Sequence, residues 1–190
     1  MLFTEKTELS QVFELFQAEC SKAVIDPNHP FRFITLSTFG TEFPNSRYVV
    51  LRAINQDFKV YFYTDSRSQK IAEIQKNPAV SLHLYHPEKK VQAKILGKAS
   101  VHTMDEITAY HWKKVKGEAR KAYCSIHKPG TKIDSPEQAH QWSENLDARY
   151  FSILAINPRS VELLQLNGVE HLRAVFNKKN GGWEFSWLAP

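Results

Sequence analysis

Residues 45–70, NSRYVVLRAINQDFKVYFYTDSRSQK, restrict the fold more than any other stretch of the chain. Two β-rich segments, 47–54 and 58–64, are separated only by the polar turn Asn55-Gln56-Asp57. So short a connection makes a hairpin, since parallel neighbours need a crossover of a dozen residues or more. A helical pattern opens directly after Asp65-Ser66-Arg67-Ser68. A helix N-terminus leaves backbone N–H groups unpaired and carries partial positive charge. Here Ser66, Arg67, Ser68 and Lys70 surround it, with Arg47 and Arg52 on the preceding strand. This composition suits an anion such as phosphate. A serine before an apolar repeat is also the ordinary way to cap a helix.

The rest of the chain alternates β-patterned segments with short helices. Residues 7–24 place Leu9, Val12, Phe13, Phe16 and Cys20 on one helical face, with Thr7 as the expected cap. The Asp26–Pro30 turn precedes a strand expected at 31–39, and residues 40–45 read as a loop. A helix at 69–76 is stopped by Asn77-Pro78 and followed by strands at 79–85 and 90–102. Gly97, inside the second of these, marks a bulge or a close backbone approach. Helical spacing covers 104–123 with a break at Gly117, and a further short helix is expected at 136–145. Strands are expected at 151–156, 160–165, 172–177 and 182–188, with a hairpin turn at 178–181. At least seven strands without βαβ alternation indicate a mainly β chain with inserted helices, an antiparallel barrel in a single domain over residues 1–190.

The formal charge of +5 comes from interspersed Lys and Arg, with no block of one sign, so nucleic acid is not indicated as a partner. Cys20 and Cys124 form no CxxC pair, which suits a reducing, cytoplasmic location, and no metal site is expected because His83 and His86 lack a third ligand. No apolar run is long enough to span a membrane, and the N-terminus has no leader-like pattern.

SRYVVLRAIN, FYTDSRSQKIAEIQKNPAVSLHLYHP, VQAKILGKA and the ending GGWEFSWLAP, in this order and spacing, resemble the pyridoxamine 5′-phosphate oxidase family of FMN-binding split barrels. The resemblance runs from Phe31 to Pro190 and implies a homodimer with FMN at the subunit interface. Arg47 and Arg52 occupy the positions at which the family places an Arg and a Lys on the FMN phosphate and the neighbouring substrate phosphate. Five residues apart, they reach one pocket only through twist, a bulge or side-chain length. Tyr63 and Thr64 match a Tyr-Thr at the flavin, and Ser68, Gln69 and Lys70 match a Ser-Arg-Lys phosphate clamp in which Gln replaces Arg. Gln92 and Arg173 match residues at the flavin ring, and Leu164 stands in place of a Trp. On the substrate side Tyr110 matches a Tyr, Lys114 replaces an Arg and Glu118 replaces a phosphate-binding Ser. His171 matches a substrate-contacting His, whereas Val169 replaces its Arg partner. Glu118 and Val169 argue against the family's usual phosphate substrate.

The function so implied is an FMN-dependent oxidoreductase that oxidises a small amine or alcohol, with O2 as acceptor and His171 at the reacting centre. The alternative is a non-catalytic FMN-binding or electron-transfer protein on the same barrel.

Overall fold

The computed structural model describes residues 1–180 and 182–190 and contains one eight-stranded antiparallel sheet. In chain order the strands are β1 (Phe33–Phe39), β2 (Pro44–Ile54), β3 (Val60–Asp65), β4 (Ala79–His86), β5 (Val91–Thr103), β6 (Phe151–Gln165), β7 (Leu172–Lys179) and β8 (Gly182–Leu188). Their spatial order is β3-β2-β1-β4-β5-β6-β7-β8, and β3 also pairs with β6. The first six strands therefore close into a barrel, and β7 and β8 continue from β6 as a hairpin. The mainly β, antiparallel split barrel expected from the sequence is the fold observed.

Alternation along each strand fills the barrel. Ile34 and Leu36, Val49 and Leu51, Val60 and Phe62, Leu82 and Leu84, and Ala93 and Ile95 all point inward and are buried. Helix α1 (Leu9–Ile25) closes one opening with Val12, Phe13, Phe16, Cys20 and Ala23. Phe13 stacks on Phe176 and meets Phe58 edge-on, and Phe16 meets Phe31 and Phe58. Each such fully buried ring stabilises the fold by about 1.5–3 kcal/mol. The first half of β6 is buried on both faces, which explains its unbroken apolar run, FSILAI. Leu154 and Ile156 enter the barrel, while Phe151 and Ile153 pack outward with Val115 and Tyr123, beneath helix α3 (Glu106–Trp112).

Several expected boundaries move, each for a local reason. Pro30 opens a 3-10 turn (Pro30–Arg32) in which His29 Nδ1 accepts the Phe31 N–H, so the strand expected from 31 begins at Phe33. Glu8, not Thr7, is the N-cap of α1, and Thr7 instead accepts the Thr4 N–H. The expected loop at 40–45 yields its last two residues to β2. The helical stretch 104–123 is α3, with Asp105 accepting the Thr108 N–H, and then a 3-10 turn (Gly117–Tyr123) entered through Gly117 at φ +52°. The helix expected at 136–145 shrinks to a 3-10 turn (Pro136–His140). The two strands expected at 151–156 and 160–165 are one, since Pro158 lies opposite Gly97 where the β5–β6 register shifts and needs no ladder N–H. Gly97 combines both of its expected roles: a Cβ there would lie 2.7 Å from the Asn157 carbonyl oxygen. The 178–181 turn includes Gly181, which lies outside the described residues.

Candidate active site

Helix α2 (Gln69–Lys76) follows β3 directly and sets the first cluster. Lys70 Nζ donates to Thr64 Oγ1 at 3.0 Å and to Ser68 Oγ at 3.1 Å. No carboxylate bonds to it among the described residues, and burial, then the nearby Arg47 charge, lower its pKa. Ser68 is the N-cap of α2, yet its hydroxyl caps no helix N–H. On β6 opposite Thr64, the Ser152 hydroxyl is fully buried without a hydrogen-bond partner among the described residues. A desolvated cation, the opening of a helix and an orphaned hydroxyl are the donor set that an anion completes.

Arg47 faces the same end of the barrel but is already matched. It donates to Thr38 Oγ1, to the Asn45 carbonyl at 3.1 Å and to Glu73 Oε2 at 3.0 Å. Burial raises the Glu73 pKa, but hydrogen bonds from Thr38, Asn45 and Arg47 outweigh it and hold the carboxyl below its ordinary value. Gln69 is exposed beside this pair. Arg67, which the sequence places at the helix opening, is spent on structure. It pairs with Asp65 at 2.7 Å, donates to the Ser125 and Ile126 carbonyls and covers the Tyr150 ring at 3.6 Å.

Arg52 goes elsewhere. Ordinary alternation places Arg52, next to inward-facing Leu51 and five residues from Arg47, on the outer face of β2, where its guanidinium lies 5.4 Å from the Tyr63 ring centroid. The register shift between Leu51 and Ala53 does not bring it back to the cluster that Arg47 and Lys70 share. The Arg52 Nε is buried without a partner among the described residues, while the Tyr123 hydroxyl accepts a hydrogen bond from the guanidinium. Burial raises the pKa of Tyr63 and of Tyr123, with the Arg52 charge opposing in both. The Tyr63 hydroxyl lies 3.0 Å from His111 Nδ1. Tyr110 is exposed, with Lys114 Nζ 4.1 Å above its ring. Glu118 faces solvent in an ion pair with Lys121, so its carboxylate is occupied by a neighbouring cation.

A third group lies far from Lys70. Gln92, Leu164 and Arg173 stand side by side across β5, β6 and β7, on the outer face of the sheet. Arg173 donates to Glu162 Oε1 at 2.8 Å, and Lys94 pairs with Glu162 Oε2 at 2.9 Å. Burial raises the Glu162 pKa, and Lys94 and Arg173 more than reverse this. His171 is two residues before Arg173, and its Nδ1 accepts the Asn167 N–H at 3.2 Å. Val169 is fully exposed in the same loop. Ser152 and Leu164 mark the two ends of β6, twelve residues apart, or about 40 Å along an extended strand.

A fourth cluster was not visible in the sequence, because its members are distant in the chain. Glu19 is buried in the second half of α1, with His29 Nε2 at 3.2 Å, His86 Nε2 at 3.7 Å, Lys22 Nζ at 2.6 Å and Lys89 Nζ at 2.7 Å. His86 thus has carboxylate and imidazole neighbours of metal-ligand type that the sequence reading did not find. Their hydrogen bonding does not fit a metal. His29 Nδ1 accepts from Phe31 N–H and His86 Nδ1 from Lys89 N–H, so in each neutral ring the proton is on Nε2, the nitrogen a metal would need.

An antiparallel split barrel with an electropositive helix opening at one end and a polar, ring-sized concavity at the other is the architecture of a flavin-nucleotide binding protein. A family model for the pyridoxamine 5′-phosphate oxidase FMN-binding domain matches residues 11–103. A pyridoxine/pyridoxamine 5′-phosphate oxidase of Hydrogenovibrio crunogenus is 26% identical over 98% of this chain and 90% of its own length. Among solved structures, a pyridoxamine 5′-phosphate oxidase-related, FMN-binding protein of Nostoc punctiforme superposes with TM-score 0.77 at 21% identity, covering 92% of this chain and 96% of that one. PhzG of Burkholderia lata, solved with tetrahydrophenazine-1-carboxylic acid, superposes with TM-score 0.78 at 19% identity over 100% of this chain and 98% of its own. Over residues 11–103 this chain is similar to the pyridoxamine 5′-phosphate oxidase FMN-binding domain, and the cofactor of that domain is FMN. The Lys70, Thr64, Ser68 and Ser152 donor set fits the FMN phosphate. Among the described residues, no helix is long and apolar enough to cross a membrane.

Proposed function

We propose that this chain is a cytoplasmic, homodimeric FMN-dependent oxidoreductase that oxidises a small amine or alcohol and passes the electrons to O2. FMN supplies the hydride acceptor. Lys70, Thr64 and Ser68 hold its phosphate, with Arg47 behind them, and Gln92 and Arg173 of the second copy meet its ring. The substrate enters over Arg52, Tyr63, Tyr110 and Lys114, facing His171 from the second copy.

The observation that carries this reading is the separation of the phosphate-type and ring-type groups to opposite ends of β6. Two copies related by a twofold axis bring unlike ends together at two equivalent sites. The face that such a dimer would bury is present. Phe33, Phe39, Tyr48, Tyr85 and Leu96 are exposed on the outer surface of β1, β2, β4 and β5, next to Gln92. A groove of about 460 Å³ lined by Ser37, Phe39, Pro44, Ser81 and Leu96 runs between them. A soluble monomer rarely leaves so much apolar surface uncovered.

The test is a visible spectrum of the purified protein followed by anaerobic mixing with candidate amines and alcohols. Flavin bands that bleach with substrate and return with air, with hydrogen peroxide formed, support the oxidase. Flavin bands that bleach only with an external reductant such as a nicotinamide nucleotide support the electron-transfer alternative. Glu118, turned to Lys121, leaves the Arg52 side open to an anionic substrate, so pyridoxamine 5′-phosphate belongs in the panel. A cyclic carboxylate belongs there too, because Arg52 presents a planar guanidinium.

A further inference from the structure

We propose that His111 couples the binding of a substrate oxyanion at Arg52 to the uptake of one proton. The inference rests on the reading of Arg52 and its neighbours as the substrate side.

His111 is buried on α3, between the Tyr61 ring at 5.5 Å and the Tyr63 ring at 5.4 Å, with its Nδ1 on the Tyr63 hydroxyl. The Arg52 guanidinium lies over the same Tyr63 ring, 5.4 Å from its centroid. The charged groups acting on this imidazole are Lys114 and His102, both of which oppose its protonation, and burial opposes it more than either. The acidic groups bordering the cluster are engaged: Asp57 acts on Tyr61, Asp105 is bonded to His102, and Glu118 is paired with Lys121. Unliganded, the cluster therefore sets the Arg52 and Lys114 cations around an imidazole whose protonation is disfavoured.

An oxyanion seated on Arg52 supplies the negative charge that the pocket lacks. It favours the imidazolium form of His111, which then donates from Nδ1 to the Tyr63 oxygen and leaves the Tyr63 O–H free to turn toward the anion. Tyr63 is thus the hydrogen-bond bridge between the ligand and the titrating ring. By linkage, a ligand that favours protonation must bind more tightly as the pH falls. A phenylalanine would fill the same space between Tyr61 and Tyr63 without this response.

The test uses the FMN-loaded full-length chain, so that the cofactor phosphate site is occupied, and sulfate, which does not titrate near neutrality. Histidine ring NMR follows His111 through pH 5–8 with and without saturating sulfate, with its signal assigned by loss in His111→Phe. Saturating sulfate is expected to move the His111 midpoint up by about one pH unit, matching a gain in sulfate affinity that approaches tenfold as the pH falls from above the bound midpoint to below the free one. His111→Phe should bind sulfate with little pH dependence, Arg52→Met should abolish the shift and Arg52→Lys should keep it. If His111→Phe does not fold, His111→Gln serves in its place. Equal midpoints with and without sulfate, or a pH dependence that survives in the His111 variant, would overturn the proposal. A protein that retains no FMN yet shows the sulfate shift would contradict the oxidoreductase reading while leaving this coupling intact.

Discussion

Two buried charge clusters share the barrel and differ in one respect. In the second half of α1, the Glu19 carboxylate is surrounded by two ammonium groups and two imidazoles, so its lone pairs are used and its charge is more than matched. At the opening of α2, the Lys70 ammonium donates to two hydroxyls and, among the described residues, to no carboxylate, beside a buried hydroxyl that has no partner among them. A saturated cluster supports the fold, and an unsaturated one holds its capacity for a ligand. Arg47 lies between the two cases: it is near enough to Lys70 for its charge to act there, but that charge is met by Glu73.

The largest difference between the clusters should come from Glu19→Gln. Removing the one anion leaves Lys22, Lys89 and two imidazoles around a neutral amide, and unfolding in denaturant should show a loss of roughly 3 kcal/mol. Acid titration should give a matching result. Burial raises the Glu19 pKa, but Lys22, Lys89 and His29 together bring it down to about 2. A carboxyl depressed in the folded state contributes stability that is complete above its unfolded value of about 4.5 and is lost as the pH falls toward 2. The wild type should lose roughly 3 kcal/mol across that window, and Glu19→Gln should lose much less. A flat acid limb in the wild type would remove Glu19 from the supporting role.

Lys70→Ala should act in the opposite way. Stability of the FMN-free protein should change by less than about 0.5 kcal/mol, because an unpaired, desolvated cation is removed. FMN affinity should fall by about 2–3 kcal/mol, on the order of 100-fold, in a fluorescence-quenching titration. A Lys70→Ala protein that loses stability but retains FMN would reverse the comparison.

Glu73→Gln gives the smallest and most diagnostic effect. It frees Arg47 toward the anion and should tighten FMN by about 1 kcal/mol, while costing about 1–2 kcal/mol of stability. Loss of FMN affinity would mean that Glu73 positions Arg47 more than it neutralises it.

The sequence made some of this legible and hid the rest along physical lines. The α2 cluster is local, with Thr64, Ser68 and Lys70 within seven residues, so hairpin and helix-start signals brought its members together. Arg52 follows strand periodicity: its odd offset from Arg47 puts it on the opposite face of β2, beside Tyr63, and it was the family resemblance that placed the two arginines in one pocket. Glu73 was legible only as a helix residue, and its partnership with Arg47 depends on how α2 crosses the barrel end. The Glu19 cluster joins residues up to 70 positions apart in the chain, through α1, the 3-10 turn at Pro30 and the β4–β5 connection. His111 gave no signal either, because its meaning comes from β3 lying beneath α3. The row of Gln92, Leu164 and Arg173 came from family resemblance, and only the 15-residue length of β6 set it far from Lys70.

That distance leads to the central claim, that each FMN is shared by two chains, and a mixing experiment tests it most directly. Lys70→Ala and the double variant Gln92→Ala/Arg173→Ala are each expected to bind FMN poorly. Unfolded together in equal amounts and refolded, they should form hybrid dimers in which one site draws both defects and the other draws neither. Random assortment then restores tight FMN binding at about a quarter of all sites. Restoration near that level is the predicted result, and a mixture that binds no more FMN than its separate components would contradict the shared site.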